Sequence, residues 1–207
     1  RSTLFPYTTL FRSPAGYYKE GLAPTKIFVE DEYVRATIGG TGFAKIGGNY
    51  AAGLKSQEKA HSKGYSQVLW LDGVERKYVE EIGTSNAFFI IDDEIITAPL
   101  EGTILPGITR DSVIHLLKDW GYKVSERRIT IADIYKAYDE GRVKEIFATG
   151  TAAVISPVGE LCWNDRKIII NDGEIGDISQ KLYDTLSGIQ LGKVEDKFGW
   201  SVCVEGD

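Results

Sequence analysis

The sequence predicts an α+β fold, a mixed α/β barrel-like sheet with flanking helices, on three observations. Short β-branched and aromatic runs recur along the chain. Two of them face each other across a two-residue turn as a hairpin. Amphipathic helical stretches interrupt the strands rather than alternating strictly with them, and no dinucleotide-binding glycine fingerprint is present, which disfavours a doubly wound parallel sheet.

The elements follow in chain order. Residues 1–13 (RSTLFPYTTLFRS) carry neither helical nor alternating periodicity and read as a non-native, adapter-like segment. Residues 14–24, in a Pro/Gly-punctuated stretch running to Lys26, suit an interdomain linker, and residues 25–207 form the folded domain. Ile27–Val29 and Tyr33–Ala36 are short extended or turn-forming pieces. Gly39-Gly40-Thr41-Gly42 then leads to Lys45, and glycines there let the backbone approach a neighbour closely. Ala51–Lys63 is rich in helix formers and stops before Gly64, and Val68–Leu71 is a wholly apolar strand. Ala87–Ile91, a turn at Asp92-Asp93 and Ile95–Thr97 make the hairpin. Thr109 opens a helix whose Val113, Leu116, Leu117 and Trp120 share one face, with Gly121 closing it. Val124–Ile129 reads as a strand, Ile131–Tyr138 as a short helix, and Glu145–Ala148, Val154-Ile155, Lys167–Ile170 and Val202–Val204 as strands. Asp177–Leu191 is a last amphipathic helix carrying Ile178, Leu182, Leu186 and Ile189.

Composition removes several functional classes. With 207 residues, 43% of them hydrophobic, the chain can bury a real core. A net charge of -6 without a Lys/Arg cluster argues against nucleic-acid binding. Cys162 and Cys203 lack metal-ligand or redox spacing, and His61 and His115 stand apart from other ligating residues, so no metal site is expected. Two free thiols suit a reducing cytoplasm. No apolar run approaches the roughly 20 residues of a membrane span.

Four places could carry chemistry. Leu105-Pro106-Gly107-Ile108-Thr109-Arg110 delivers a turn into a helix N-terminus, where free N–H groups favour an anion and Thr109 could cap. Thr149-Gly150-Thr151-Ala152 follows a strand in the same style. Each alone is an ordinary turn. Lys45 lies among Gly42, Ala44, Gly47 and Gly48, which leave room for a flat ring beside an amine nucleophile. Glu80 and Glu81, read on their own, are solvated carboxylates at a strand end.

The order and wording of five motifs add more. Lys45-Ile46-Gly47-Gly48-Asn49-Tyr50, Gln67-Val68-Leu69-Trp70-Leu71, Glu81-Ile82-Gly83-Thr84-Ser85-Asn86, Leu105 to Arg110 and Thr149 to Ala152 run collinearly, and the chain ends in Asp196-Lys197-Phe198-Gly199-Trp200. In this the sequence resembles the branched-chain amino acid aminotransferases, fold-type IV enzymes that use pyridoxal 5'-phosphate. The resemblance implies that residues 25–207 are the large C-terminal, cofactor-binding domain of such an enzyme. It implies Lys45 as the Schiff-base lysine that later shuttles the proton between substrate Cα and cofactor C4′. Tyr50 would bond the cofactor's phenolic oxygen, Glu81 the pyridine nitrogen, and Leu105 would pack on the ring. Ile108, Thr109, Gly150 and Thr151 would hold the phosphate, with Thr84 and Ala152 near the substrate carboxylate.

The implied reaction moves the amino group of L-leucine, L-isoleucine or L-valine to 2-oxoglutarate, so the partners are amino acids and 2-oxo acids, in a cytoplasmic homodimer. An N-terminal domain typical of the family is missing from the sequence, which leads us to expect a damaged active site and an exposed apolar patch. The CxxC of some relatives is replaced at Ala153 and Ser156. Two alternatives remain: another fold-type IV enzyme, such as a D-amino acid aminotransferase or an aminodeoxychorismate lyase, and a non-catalytic domain binding a phosphate ester.

Overall fold

The computed structural model describes residues 22–202. The adapter-like segment, most of the linker and positions 203–204 of the last expected strand lie outside the described residues, and Val202 belongs to no strand. Nine strands are described: β1 (Thr25–Glu30), β2 (Gln67–Leu71), β3 (Val79–Ile82), β4 (Ser85–Ile91), β5 (Glu94–Thr97), β6 (Lys123–Glu126), β7 (Val143–Gly150), β8 (Val154–Trp163) and β9 (Arg166–Ile169). Four α-helices accompany them: α1 (Gly47–Ser62), α2 (Ile108–Asp119), α3 (Ile131–Asp139) and α4 (Asp177–Gln190).

The strands run in the order β3-β2-β1-β8-β7-β4, and β4 pairs back onto β3, so six of them close a ring. β5 and β6 extend the sheet outward from β4, and β9 from β8. β1 is parallel to both β2 and β8, whereas the β3–β4, β4–β7 and β7–β8 pairs are antiparallel. The barrel-like α+β architecture expected from the mixed element order is therefore the one observed.

β4 shows why its sequence is apolar throughout. Ala87, Phe89 and Ile91 belong to one core with Ile27 and Val29 of β1, Leu69 and Leu71 of β2, Val79 and Ile82 of β3, and Ile131 and Ile134 of α3. Phe88 and Ile90, on the other face, pack with Val113 and Leu117 of α2 and Leu182 and Leu186 of α4. A strand covered on both sides has no solvent face to keep polar. Phe88 and Phe147 stack across β4 and β7 with ring centroids 5.1 Å apart. α1 covers a third cluster, Phe28, Val68 and Trp70, from outside the ring.

Local signals account for the ends of the elements. Thr130 and Asp133 form a capping box that starts α3, and Gly121, at φ +83, stops α2 as expected. Three expectations need correction. α1 begins at Gly47 rather than Ala51, because Asn49 fastens the preceding turn to it. Thr109 does not cap α2: Gly107 is its N-cap, with no side-chain cap bond. Glu80 and Glu81 are buried inside β3 rather than solvated at a strand end, since β3 is flanked by β2 and β4 and the 98–105 loop lies over it through Thr103 and Leu105.

Candidate active site

The loop between β1 and α1 carries both Arg35 and Lys45, and glycine makes its course possible. A Cβ on Gly42 would collide with the Thr103 carbonyl oxygen and stand 2.6 Å from Ala36 Cβ, so this glycine serves close packing between two loops. Gly47 has nothing within 4 Å of its would-be Cβ, which is the open space expected around Lys45. Asn49, in the first turn of α1, donates to the carbonyls of Thr41 at 2.9 Å and Ala44 at 2.7 Å and accepts from the Thr41 hydroxyl at 2.9 Å. Lys45 is thereby presented at the head of α1, exposed.

A cleft of about 850 Å³ opens there, lined among others by Arg35, Lys45, Tyr50, Glu81, Thr84 and Leu105. Five residues singled out in the sequence thus line one cleft: Lys45, Tyr50, Glu81, Thr84 and Leu105. Ile108, Thr109, Gly150, Thr151 and Ala152 do not line it. They lie at the start of α2 and at the end of β7 with the residues just after it, two places that meet at the start of β4. Asn86 of β4 lies in register with Thr149, and its Oδ1 fills the place where a Cβ on Gly107 would sit. Ser85 Oγ is 2.9 Å from the corresponding position on Gly150. Ile108, Thr151 and Ala152 are exposed there.

Glu81 is the electrostatic centre. Its Oε1 accepts from Asn86 Nδ2 at 3.2 Å and from the Leu105 N–H at 3.3 Å. Its Oε2 lies 2.7 Å from Arg35 Nε, whose N–H is not aimed at any acceptor. Arg35 Nη2 instead donates to the carbonyls of Thr103 and, at 3.2 Å, Gly42. Burial pushes the Glu81 carboxyl up to about 7, against the downward pull of the Arg35 charge and the Leu105 N–H, with neighbouring Glu80 adding to the rise. A carboxyl raised to about 7 that lines the same cleft as an amine is suited to proton chemistry.

Sequence reasoning assigned no role to Arg35, Asn49 or Asn86. The available signal for Asn86 was an amide at the head of a strand that is otherwise apolar, where a buried polar group needs partners. Among the described residues no group of three or more His, Cys, Asp or Glu could hold a metal ion, and no helix is long and apolar enough to cross a membrane.

The cleft with Lys45 and the buried Glu81 lies within the stretch that the comparison with families identifies: residues 43–161 match the model of amino-transferase class IV. The chain belongs to that family. It is 60% identical over 193 residues to branched-chain-amino-acid aminotransferase 2 of Bacillus subtilis (strain 168), covering 93% of this chain and 53% of the relative. It is 58% identical to a probable branched-chain-amino-acid aminotransferase of Staphylococcus aureus (strain N315), covering 93% of this chain and 54% of that one. The chain thus spans about half the length of the curated relatives it matches. Among solved structures, the branched-chain amino acid aminotransferase from Escherichia coli superimposes with a TM-score of 0.72 at 30% identity, over 86% of this chain and 56% of the other. The branched-chain amino acid aminotransferase from Thermobaculum terrenum in its PLP-form (holo-form) gives 0.72 at 26%, over 85% and 53%.

Proposed function

We propose that this chain is the cofactor-binding part of a branched-chain amino acid aminotransferase, with residues 25–207 as the domain that holds pyridoxal 5'-phosphate on Lys45. The observation that carries this reading is that Lys45 and the buried carboxylate of Glu81 line the same cleft. The relatives' names and the PLP-form of one structural neighbour support it.

The residues present fit the cofactor. The cleft, at about 850 Å³, lies within the usual range for small-molecule sites, roughly 300–1,000 Å³. Glu81 lines the cleft with Oε2 ion-paired to Arg35 Nε at 2.7 Å but accepting no aligned hydrogen bond, so a protonated ring nitrogen would share that oxygen with the guanidinium. When bound, the cofactor supplies an electron-accepting ring that makes the substrate Cα–H acidic.

The chain's own residues do the rest. Lys45 Nζ would attach the cofactor and, when free, would carry the proton between the substrate Cα and the cofactor's C4′. Glu81 holds the proton at the ring nitrogen, and Tyr50 bonds the phenolic oxygen. Leu105 covers one ring face. Ile108 and Thr109, at the N-terminus of α2, and Gly150 with Thr151 bind the phosphate through N–H groups and hydroxyls. Thr84 and the backbone of Ala152 receive the substrate carboxylate. Substrates are L-leucine, L-isoleucine or L-valine with 2-oxoglutarate, in a cytoplasmic homodimer. Because Lys45 and Tyr50 are exposed here, turnover by this stretch alone should be poor.

The test is the visible spectrum of the protein with pyridoxal phosphate, followed by borohydride reduction and peptide mapping. The expected result is an absorbance band lost in Lys45→Ala and a pyridoxyl label on Lys45. A folded protein that binds the cofactor with Lys45 unlabelled would instead be a phosphate-ester-binding domain. For substrate choice, amino transfer from D-alanine, or pyruvate release from aminodeoxychorismate, in place of transfer from L-leucine would assign another fold-type IV chemistry.

A further inference from the structure

Glu81, Asn86 and Thr149 form a row of polar side chains across three neighbouring strands. Glu81 pairs in register with Asn86 between β3 and β4, and Asn86 with Thr149 between β4 and β7. Residues directly opposite each other share a face of the sheet, and all three are buried beside the apolar Ile82, Ala87 and Ala148. Asn86 is the hub of the row. Its Nδ2 donates to Glu81 Oε1 at 3.2 Å and to the Leu105 carbonyl at 2.9 Å, while its Oδ1 nestles against Gly107, the N-cap of α2. The Leu105 N–H comes back to the same Glu81 oxygen at 3.3 Å. An amide whose Nδ2 bridges the Leu105 carbonyl and Glu81 in this way restrains the plane and position of the carboxylate, because swinging the carboxylate away would leave the Asn86 and Leu105 donors without that acceptor.

We propose that Asn86 is a positioning residue that occupies Oε1 of Glu81 and so presents Oε2 to the cleft, tying it to the turn that begins α2. The proposal rests on the aminotransferase reading only for what Oε2 meets. The hold on Glu81 is a property of the chain without cofactor. The charged groups acting on Glu81 are Arg35, from the loop before α1, and Glu80, beside it on β3. Neither contacts the Asn86 side chain, so substituting Asn86 leaves their charges in place.

The test uses the full chain in two uncharged variants, Asn86→Leu and Asn86→Ala. The second adds neither bulk nor charge beside Glu81, so it decides the matter if the first does not fold, as judged by circular dichroism. In cofactor-free protein with 13C-carboxyl-labelled glutamate, assigned by Glu81→Gln, the Glu81 midpoint should rise by about 1 in pH, because a donor to the charged form is gone. Titrating in pyridoxal phosphate should show the dissociation constant of the lysine-dependent band raised about tenfold and the band's own pH midpoint displaced, effects that loss of packing elsewhere would not give. An unchanged Glu81 midpoint in a folded variant overturns the proposal. Absence of a lysine-dependent band in the unsubstituted protein overturns the cofactor reading instead, and the midpoint in cofactor-free protein still decides whether Asn86 holds Glu81.

Discussion

Asn49 Nδ2 donates to the carbonyl oxygen of Ala44 at 2.7 Å, fastening the residue just before Lys45 to the first turn of α1. The bond converts a glycine-rich turn into a fixed support for the lysine. Asn49→Ala should therefore cost little stability, about 1 kcal/mol, yet weaken the lysine-dependent pyridoxal phosphate band about tenfold, since small misplacement of a reacting group is expensive. A melting curve and a spectroscopic titration on the same preparation check this, and equal, small losses in both would mean the turn holds without Asn49.

Gly42 makes the opposite kind of contact, where size rather than bonding matters. Gly42→Ala would drive a methyl into the Thr103 carbonyl and push apart the two loops that Arg35 joins through Gly42 and Thr103. We expect a loss of about 1–3 kcal/mol, as for overpacking generally, measured by urea denaturation.

Glu81 gives a signed dependence on pH. Its folded carboxyl sits at about 7, above its ordinary value of 4.5, so the folded chain binds more protons than the unfolded one between those values. Stability therefore falls as pH rises through that window, by about 3 kcal/mol in all. Glu81→Gln should flatten the difference between denaturation midpoints at pH 5 and pH 8 relative to the unsubstituted protein. Glu94, held at about 2 by Arg127 and Ser125, titrates below this window and does not interfere.

Glu145 is a capping residue remote in sequence from the helix it caps. Its carboxylate accepts from the N–H groups of Ile178 and Ser179, both at 3.0 Å, and from the Ser179 hydroxyl at 2.7 Å, at the start of α4. Glu145→Ala should cost about 2 kcal/mol in thermal or chemical denaturation, the upper range for a lost cap. The lysine-dependent absorbance should be unaffected.

Much of the architecture was legible in the chain. The Phe-rich run of β4, its turn and Ile95–Thr97 form the expected hairpin, and the faces of α2 and α4 bury Leu117 and Leu182 as their spacing requires. β3 was not legible, because Val79-Glu80-Glu81-Ile82 puts its charges where a solvated turn would. Burial of both acids comes from partners 20 or more positions away, Thr103 for Glu80 and Leu105 for Glu81. Within the site, the motif wording reached Lys45, Tyr50, Glu81, Thr84 and Leu105, which do share a cleft. It passed over Asn49 and Asn86, whose importance lies in which carbonyl or carboxylate each reaches, and that geometry exists only after folding.

The ring of strands is not equally strong all round. β4 and β7 share six paired positions, whereas β3 is joined to β2 by two and to β4 by two. β3 is thus the loosest stave of the barrel, and it carries Glu81. A molecule fastened at once to Glu81 on this stave and to Lys45 on the loop outside it would act as a hoop, so filling the cleft would tighten the whole cask at the one seam where it is most ready to open.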